Sequence, residues 1–138
     1  MNRAVLDTNT VLSSQLAKSA NSPNVEIVSR WLNGEFIWLH TPDILDEYAE
    51  KLIEYGVSLK QVISLLSKLR ISGEIVPISF FHIRHYPADS DDTIFLLAAL
   101  NGKASHLVTY DEHLHEVSHH YPEFVTCRPL EFLAALRV

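Results

Sequence analysis

The 138-residue sequence predicts an α/β fold, a mostly parallel sheet covered by helices on both faces, with residues 1–138 forming one domain. Two observations carry this. Short apolar runs of strand length alternate with longer runs in which apolar residues recur every three or four positions. Cap or turn residues stand at nearly every junction between them. Composition agrees: 47% of residues are hydrophobic and 20% charged, enough apolar side chains for a core and too few charges for disorder. No apolar run is long enough to cross a bilayer. The opening MNRAVLDTNTVL lacks the apolar stretch and small-residue cleavage site of a secretory leader, so a cytoplasmic location is expected. A single cysteine, Cys127, excludes an internal disulfide and any multi-cysteine metal site. Eleven Lys and Arg against 17 Asp and Glu give a net charge of -6, which excludes a passive, strongly basic nucleic-acid binder.

Taken in order, Arg3–Leu6 reads as a strand, and Asp7-Thr8-Asn9 stops it where Asp or Thr can cap a following helix through Val11, Leu12 and Leu16. Residues 19–24 read as a loop. Val25, Ile27, Val28, Trp31 and Leu32 then keep helical spacing until Asn33-Gly34. Phe36–Leu39 is a buried-strand candidate. Thr41 as N-cap and Pro42 at the first helical position open a helix with the stripe Ile44, Leu45, Tyr48, Leu52 and Ile53. After Gly56, Ser58 caps a helix whose core face is read as Val62, Ile63, Leu65, Leu66 and Leu69, ending at Gly73. Residues 74–78 read as an edge strand, since Pro77 is incompatible with a central position. A loop over 82–90 leads into Asp91-Asp92-Thr93 and a helix, Ile94–Leu100, apolar on almost every side. His106–Thr109 is a strand with Tyr110-Asp111 at its end. A short helix over 112–117, a strand at Phe124–Thr126 and a helix from Pro129 complete the chain.

In a parallel sheet the functional site lies beyond the carboxyl ends of the strands. Asp7 and Asp111 end two strands, and Asp92 lies in the first turn of the helix before the second of them. If those strands are neighbours, the three side chains converge. Glu47 is the fourth candidate, at the border of its helix's apolar stripe. Singly, each has an ordinary reading: a strand-end Asp is usually a turn or cap residue, Asp89, Asp91 and Asp92 suit a helix N-terminus, and Glu47 shares a solvated region with Glu50 and Glu54. Together they would repel one another unless a divalent cation neutralised them. Mg2+ or Mn2+ accepts such oxygen ligands, can activate water and can offset the charge of a phosphate.

These segments resemble the PIN domain family, in the branch of toxin components of toxin–antitoxin systems (VapC-like ribonucleases). The matching stretches are Val5–Leu12, Thr41–Tyr48, Pro87–Asp92 with its apolar helix, Leu107–Asp111, and the closing Cys127–Leu133. The resemblance implies a three-layer α/β/α sandwich and a Mg2+- or Mn2+-dependent endoribonuclease. It also implies an RNA substrate, a cognate antitoxin and a homodimer. Residue by residue it implies that Asp7, Glu47, Asp92 and Asp111 are the catalytic and metal-holding acids. Thr8, Asn9, Asp89 and Thr109 support them, with Asn9 orienting Asp7 or a bound water and Thr109 acting through its hydroxyl. Two departures stand out. Tyr110 occupies a position often small or basic, where it would crowd the pocket or stack on a base, and His113 stands where many members have another Asp, as a possible manganese ligand.

Basic residues are dispersed along the chain; Arg84, beside His82 and His85 and just before the acidic stretch, is the candidate substrate contact with Tyr110. The remaining histidines lack a metalloprotease spacing and read as solvated or locally packed. Two alternatives belong to other classes. One is a catalytically degenerate member acting as a nucleic-acid or protein-binding regulatory module. The other is a phosphatase or receiver-like protein, disfavoured because no D-x-D-x-T sequence and no late-strand lysine are present.

Overall fold

In the computed structural model, which describes residues 1–138, five short strands make one sheet. They are β1 (Arg3–Leu6), β2 (Ile37–His40), β3 (Glu74–Ile75), β4 (His106–Val108) and β5 (Val125–Cys127). Their order is β3-β2-β1-β4-β5, and every pairing is parallel. The central strand β1 is therefore flanked by β2 and β4, and Leu6 faces Val108 in register. Ala4, Val5 and Leu6 are fully buried, so both faces of β1 are covered, as a parallel sheet inside a sandwich requires.

Seven helices connect and cover the strands: α1 (Thr8–Leu16), α2 (Pro23–Leu32), α3 (Pro42–Glu54), α4 (Leu59–Ser72), α5 (Thr93–Asn101), α6 (Glu112–Ser118) and α7 (Pro129–Leu136). Their starts follow local chemistry. The Thr41 hydroxyl accepts from the Ile44 N–H at 3.1 Å, with Pro42 behind it where no N–H is needed. Ser58 caps α4 through the Gln61 N–H at 3.2 Å. Gly34 and Gly56, after α2 and α3, have positive φ of 77° and 87°, a conformation glycine adopts without strain. Helix α5 packs on β1, β2 and β4, which explains its apolar circumference. No helix is long and apolar enough to cross a membrane.

The differences from the sequence reading are small and physical. Strands β2 and β5 each sit one residue further along than the apolar runs suggested, because His40 and Cys127 are buried with them. His40 is accommodated by its Nε2, 3.1 Å from the Leu69 carbonyl, and burial holds its pKa below the usual histidine value. Ile53 and Ile63, read as core, are exposed; the buried stripes of α3 and α4 are narrower than their apolar content. Pro77 lies just beyond the two-residue edge strand β3. The stretch between β3 and a 3-10 turn at Ser90–Asp92 has no regular structure. The Asn101 side chain pins it, accepting from Ser79 N at 2.8 Å and Phe80 N at 3.2 Å and donating to the Phe80 carbonyl.

Candidate metal centre

The ends of β1 and β4 meet at Asp7. Its N–H donates to the Val108 carbonyl at 3.0 Å, extending the strand pairing by one residue. Its carboxylate is both N-cap of α1 and acceptor from the neighbouring strand end: Oδ1 accepts from Thr10 N at 3.0 Å, and Oδ2 accepts from the Thr109 hydroxyl. Asp7 is only 4% exposed. Burial pushes its pKa up, against the pull of these hydrogen bonds, and the charge of Asp111 adds to the rise.

Thr109 joins two acids. Its N–H donates to the Cys127 carbonyl at 2.9 Å, fixing the end of β4 against β5. Its Oγ1 donates to Asp7 and accepts from the Asp111 N–H at 2.9 Å. Asp111 in turn caps α6, its Oδ1 accepting from His113 N at 2.8 Å. Asp92 arrives from the other direction, at the end of the 3-10 turn. Asp89 caps that turn, its Oδ1 accepting from Asp91 N at 3.0 Å. Burial, followed by the charge and hydrogen bonding of the neighbouring Asp111, together raise the Asp92 carboxyl to about 7. Glu47 reaches the same place from α3; burial raises its pKa too, with Lys51 opposing.

These side chains line one cleft of about 230 Å³. Asp7, Glu47, Asp89, Asp91, Asp92 and Asp111 contribute to its wall, Thr8 and Asn9 stand beside them, and Lys51 is the one cation there. Two buried carboxylate oxygens, Glu47 Oε2 and Asp92 Oδ2, have no hydrogen-bond partner. A buried anionic oxygen without a donor is costly, so each calls for a proton or a cation. Asp92, Asp111 and His113 each offer a ligand atom, all within 4.8 Å of one another. The donor set and the orphaned oxygens fit a divalent cation.

Other candidates fall elsewhere. Tyr110 does not crowd the cleft: its hydroxyl accepts from Asn24 Nδ2 at 3.1 Å, which turns the ring toward α2. Arg84 also lies off the acidic wall. It donates to Glu123 at 2.9 Å and to the His120 carbonyl at 3.2 Å, in a neighbouring groove that shares His113 with the candidate ligand cluster of Asp92, Asp111 and His113. Asn9 lines the cleft without a hydrogen bond to Asp7; the Thr10 N–H holds that acid instead. Lys51 as a cleft residue was missed. Its position four residues after Glu47, on the same helical face, was the available signal.

Comparison with known proteins places this architecture. The sequence matches the PIN domain over residues 3–113, most of the chain. The chain belongs to the PIN domain family, whose members are typically metal-dependent nucleases. Its fold is similar to that of VapBC2 from Rickettsia felis, solved bound to a DNA fragment from their promoter, with a TM-score of 0.58 at 15% identity, covering 91% of this chain and 98% of that one. It is also similar to FitAcB from Neisseria gonorrhoeae, with a TM-score of 0.55 at 13% identity, covering 92% and 98%. Curated proteins give no significant match to the sequence.

Proposed function

We propose that the protein is a divalent-cation-dependent endoribonuclease, the toxin component of a toxin–antitoxin pair, with Asp7, Glu47, Asp92 and Asp111 as its working acids. The observation that carries this is the acidic cleft itself: six carboxylates with one lysine, and two buried oxygens that nothing in the protein satisfies. Asp92 and Asp111 would hold the cation, with Asp7 and Glu47 beside them. A Mg2+ or Mn2+ ion bound there would supply neutralising charge for a phosphodiester and lower the pKa of a water.

The chain's own groups do the rest. Asp7 is held at both oxygens by Thr10 and Thr109, so it keeps one orientation. Glu47 Oε2, buried and unpaired, would take a proton from the attacking water. Lys51, at the same wall, offers a positive charge to a phosphate. The choice of RNA and of an antitoxin partner rests on the opening and closing sequence motifs and on the fold shared with VapBC2 and FitAcB. A cytoplasmic location and a homodimer are proposed with them. For the dimer, Leu65 and Leu69 of α4 are spoken for by the core, whereas Leu59 and Ile63 face outward.

Purified protein is expected to cut single-stranded RNA with Mg2+ or Mn2+ and to stop in EDTA. Asp7→Asn and Asp111→Asn should each lower the rate by roughly 100-fold or more, the range expected on losing a charge that acts in the transition state. Asn caps a helix as well as Asp does, so Asp111→Asn should keep its fold. Variants that cut as fast as the native protein would refute the assignment. Metal binding without any cleavage would favour the degenerate, binding-module alternative.

A further inference from the structure

We propose that His113 is a direct ligand of the cation, and that its nitrogen gives the cleft a preference for Mn2+ over Mg2+. This deepens the metal-dependent reading above and rests on it. Asp111 accepts from the backbone N–H of His113 at 2.8 Å, which fixes the turn into α6 and brings the imidazole back toward the carboxylate that caps it. His113 Nδ1 stands 3.7 Å from Asp111 Oδ1. That is too long for a hydrogen bond. It lies between the separations of adjacent and opposite ligands on one ion, about 3 and 4 Å for metal–ligand distances near 2.1 Å.

Asp92 supplies the third atom, within 4.8 Å of both, and its Oδ2 is buried without a partner. The His113 ring makes no other polar contact closer than this one. The next histidine along the helix is differently engaged: His115 Nε2 lies 2.9 Å from the Thr109 carbonyl and so carries its proton toward that oxygen. His113 is half-exposed, so its ring can settle onto an ion without disturbing the core.

An all-carboxylate cleft suits Mg2+, which prefers oxygen and gives up its waters reluctantly. An imidazole in place of an oxygen suits first-row transition ions better. Mn2+ is the weakest binder of that series, so a preference shown by Mn2+ is a strict test.

The test is calorimetric titration of the full chain with Mn2+ and with Mg2+, together with pulsed electron paramagnetic resonance of the Mn2+-loaded protein. The expected result is Mn2+ binding at least about tenfold tighter than Mg2+, with coupling to one directly bound imidazole nitrogen. His113→Ala should remove the coupling and weaken Mn2+ by about tenfold while leaving Mg2+ nearly unchanged. His113→Asp should narrow the gap by improving Mg2+. Mn2+ bound without nitrogen coupling, or coupling that survives His113→Ala, would overturn the His113 assignment and leave the metal-dependent reading intact. Binding of neither ion would overturn both.

Discussion

Asp92 shows what the cleft costs when no cation neutralises it. Its carboxyl holds a proton to about pH 7 in the folded chain, against an ordinary value of 3.8. The folded state therefore binds that proton more tightly than the unfolded state. The stability it contributes is complete below about pH 4 and is lost as pH rises to 7. Asp92→Asn removes the loss. Because Asp92 is partly exposed, the gain is set at about 1 kcal/mol, well under the full linkage value. In thermal melts with EDTA, Asp92→Asn should exceed the native protein by roughly 3–5 °C at pH 7.5 and match it near pH 4. A gain that persists unchanged at pH 4 would contradict this. Cys127 gives a simpler expectation. Burial pushes its thiol up to about 12, so iodoacetamide should label it only after unfolding; labelling of the folded protein at neutral pH would contradict its burial. At this scale the sequence was informative wherever position in an element decides placement: Asp7, Asp92 and Asp111 follow from strand ends and helix starts. It misdirected Tyr110, read as crowding the pocket or stacking on a base, because its partner Asn24 lies 86 residues away and no local pattern sets its direction.

Helix α3 ties the cleft to the sheet. Tyr48, the residue after Glu47, is fully buried, and its hydroxyl donates to the Leu6 carbonyl, one residue before Asp7. Trp38 Nε1 donates to the same hydroxyl at 3.4 Å. The side chain thus joins α3, β1 and β2 directly beneath two of the proposed acids. Tyr48→Phe removes the bond to Leu6 and should cost about 1–2 kcal/mol. Chemical denaturation should read this as a lower midpoint with an unchanged slope. An unaltered midpoint would show that the tie carries no stability. Element types and order were legible because strand-length apolar runs, caps and terminators coincide. Boundaries slipped at β2 and β5, where buried His40 and Cys127 extend strands that composition would end earlier. The core stripes of α3 and α4 were read too wide, since Ile53 and Ile63 are apolar yet face solvent.

Across the whole molecule, the net charge of -6 is unevenly spread. Six of the 17 acids line one cleft. The arginines are largely committed to ion pairs: Arg3 with Glu74, Arg30 and Arg137 with Glu26, Arg84 with Glu123, and Arg128 with Glu112. With these arginines engaged, affinity for a phosphate backbone depends the more on neutralising the acids of the cleft. The proposed function depends first on a divalent cation in this cleft. Anomalous diffraction from a crystal soaked in Mn2+ tests it most directly. The expected result is a peak between Asp92 and Asp111, within bonding distance of both and abolished by Asp92→Asn. A fully soaked crystal with no peak in the cleft, or with manganese only at other surface acids, would contradict it.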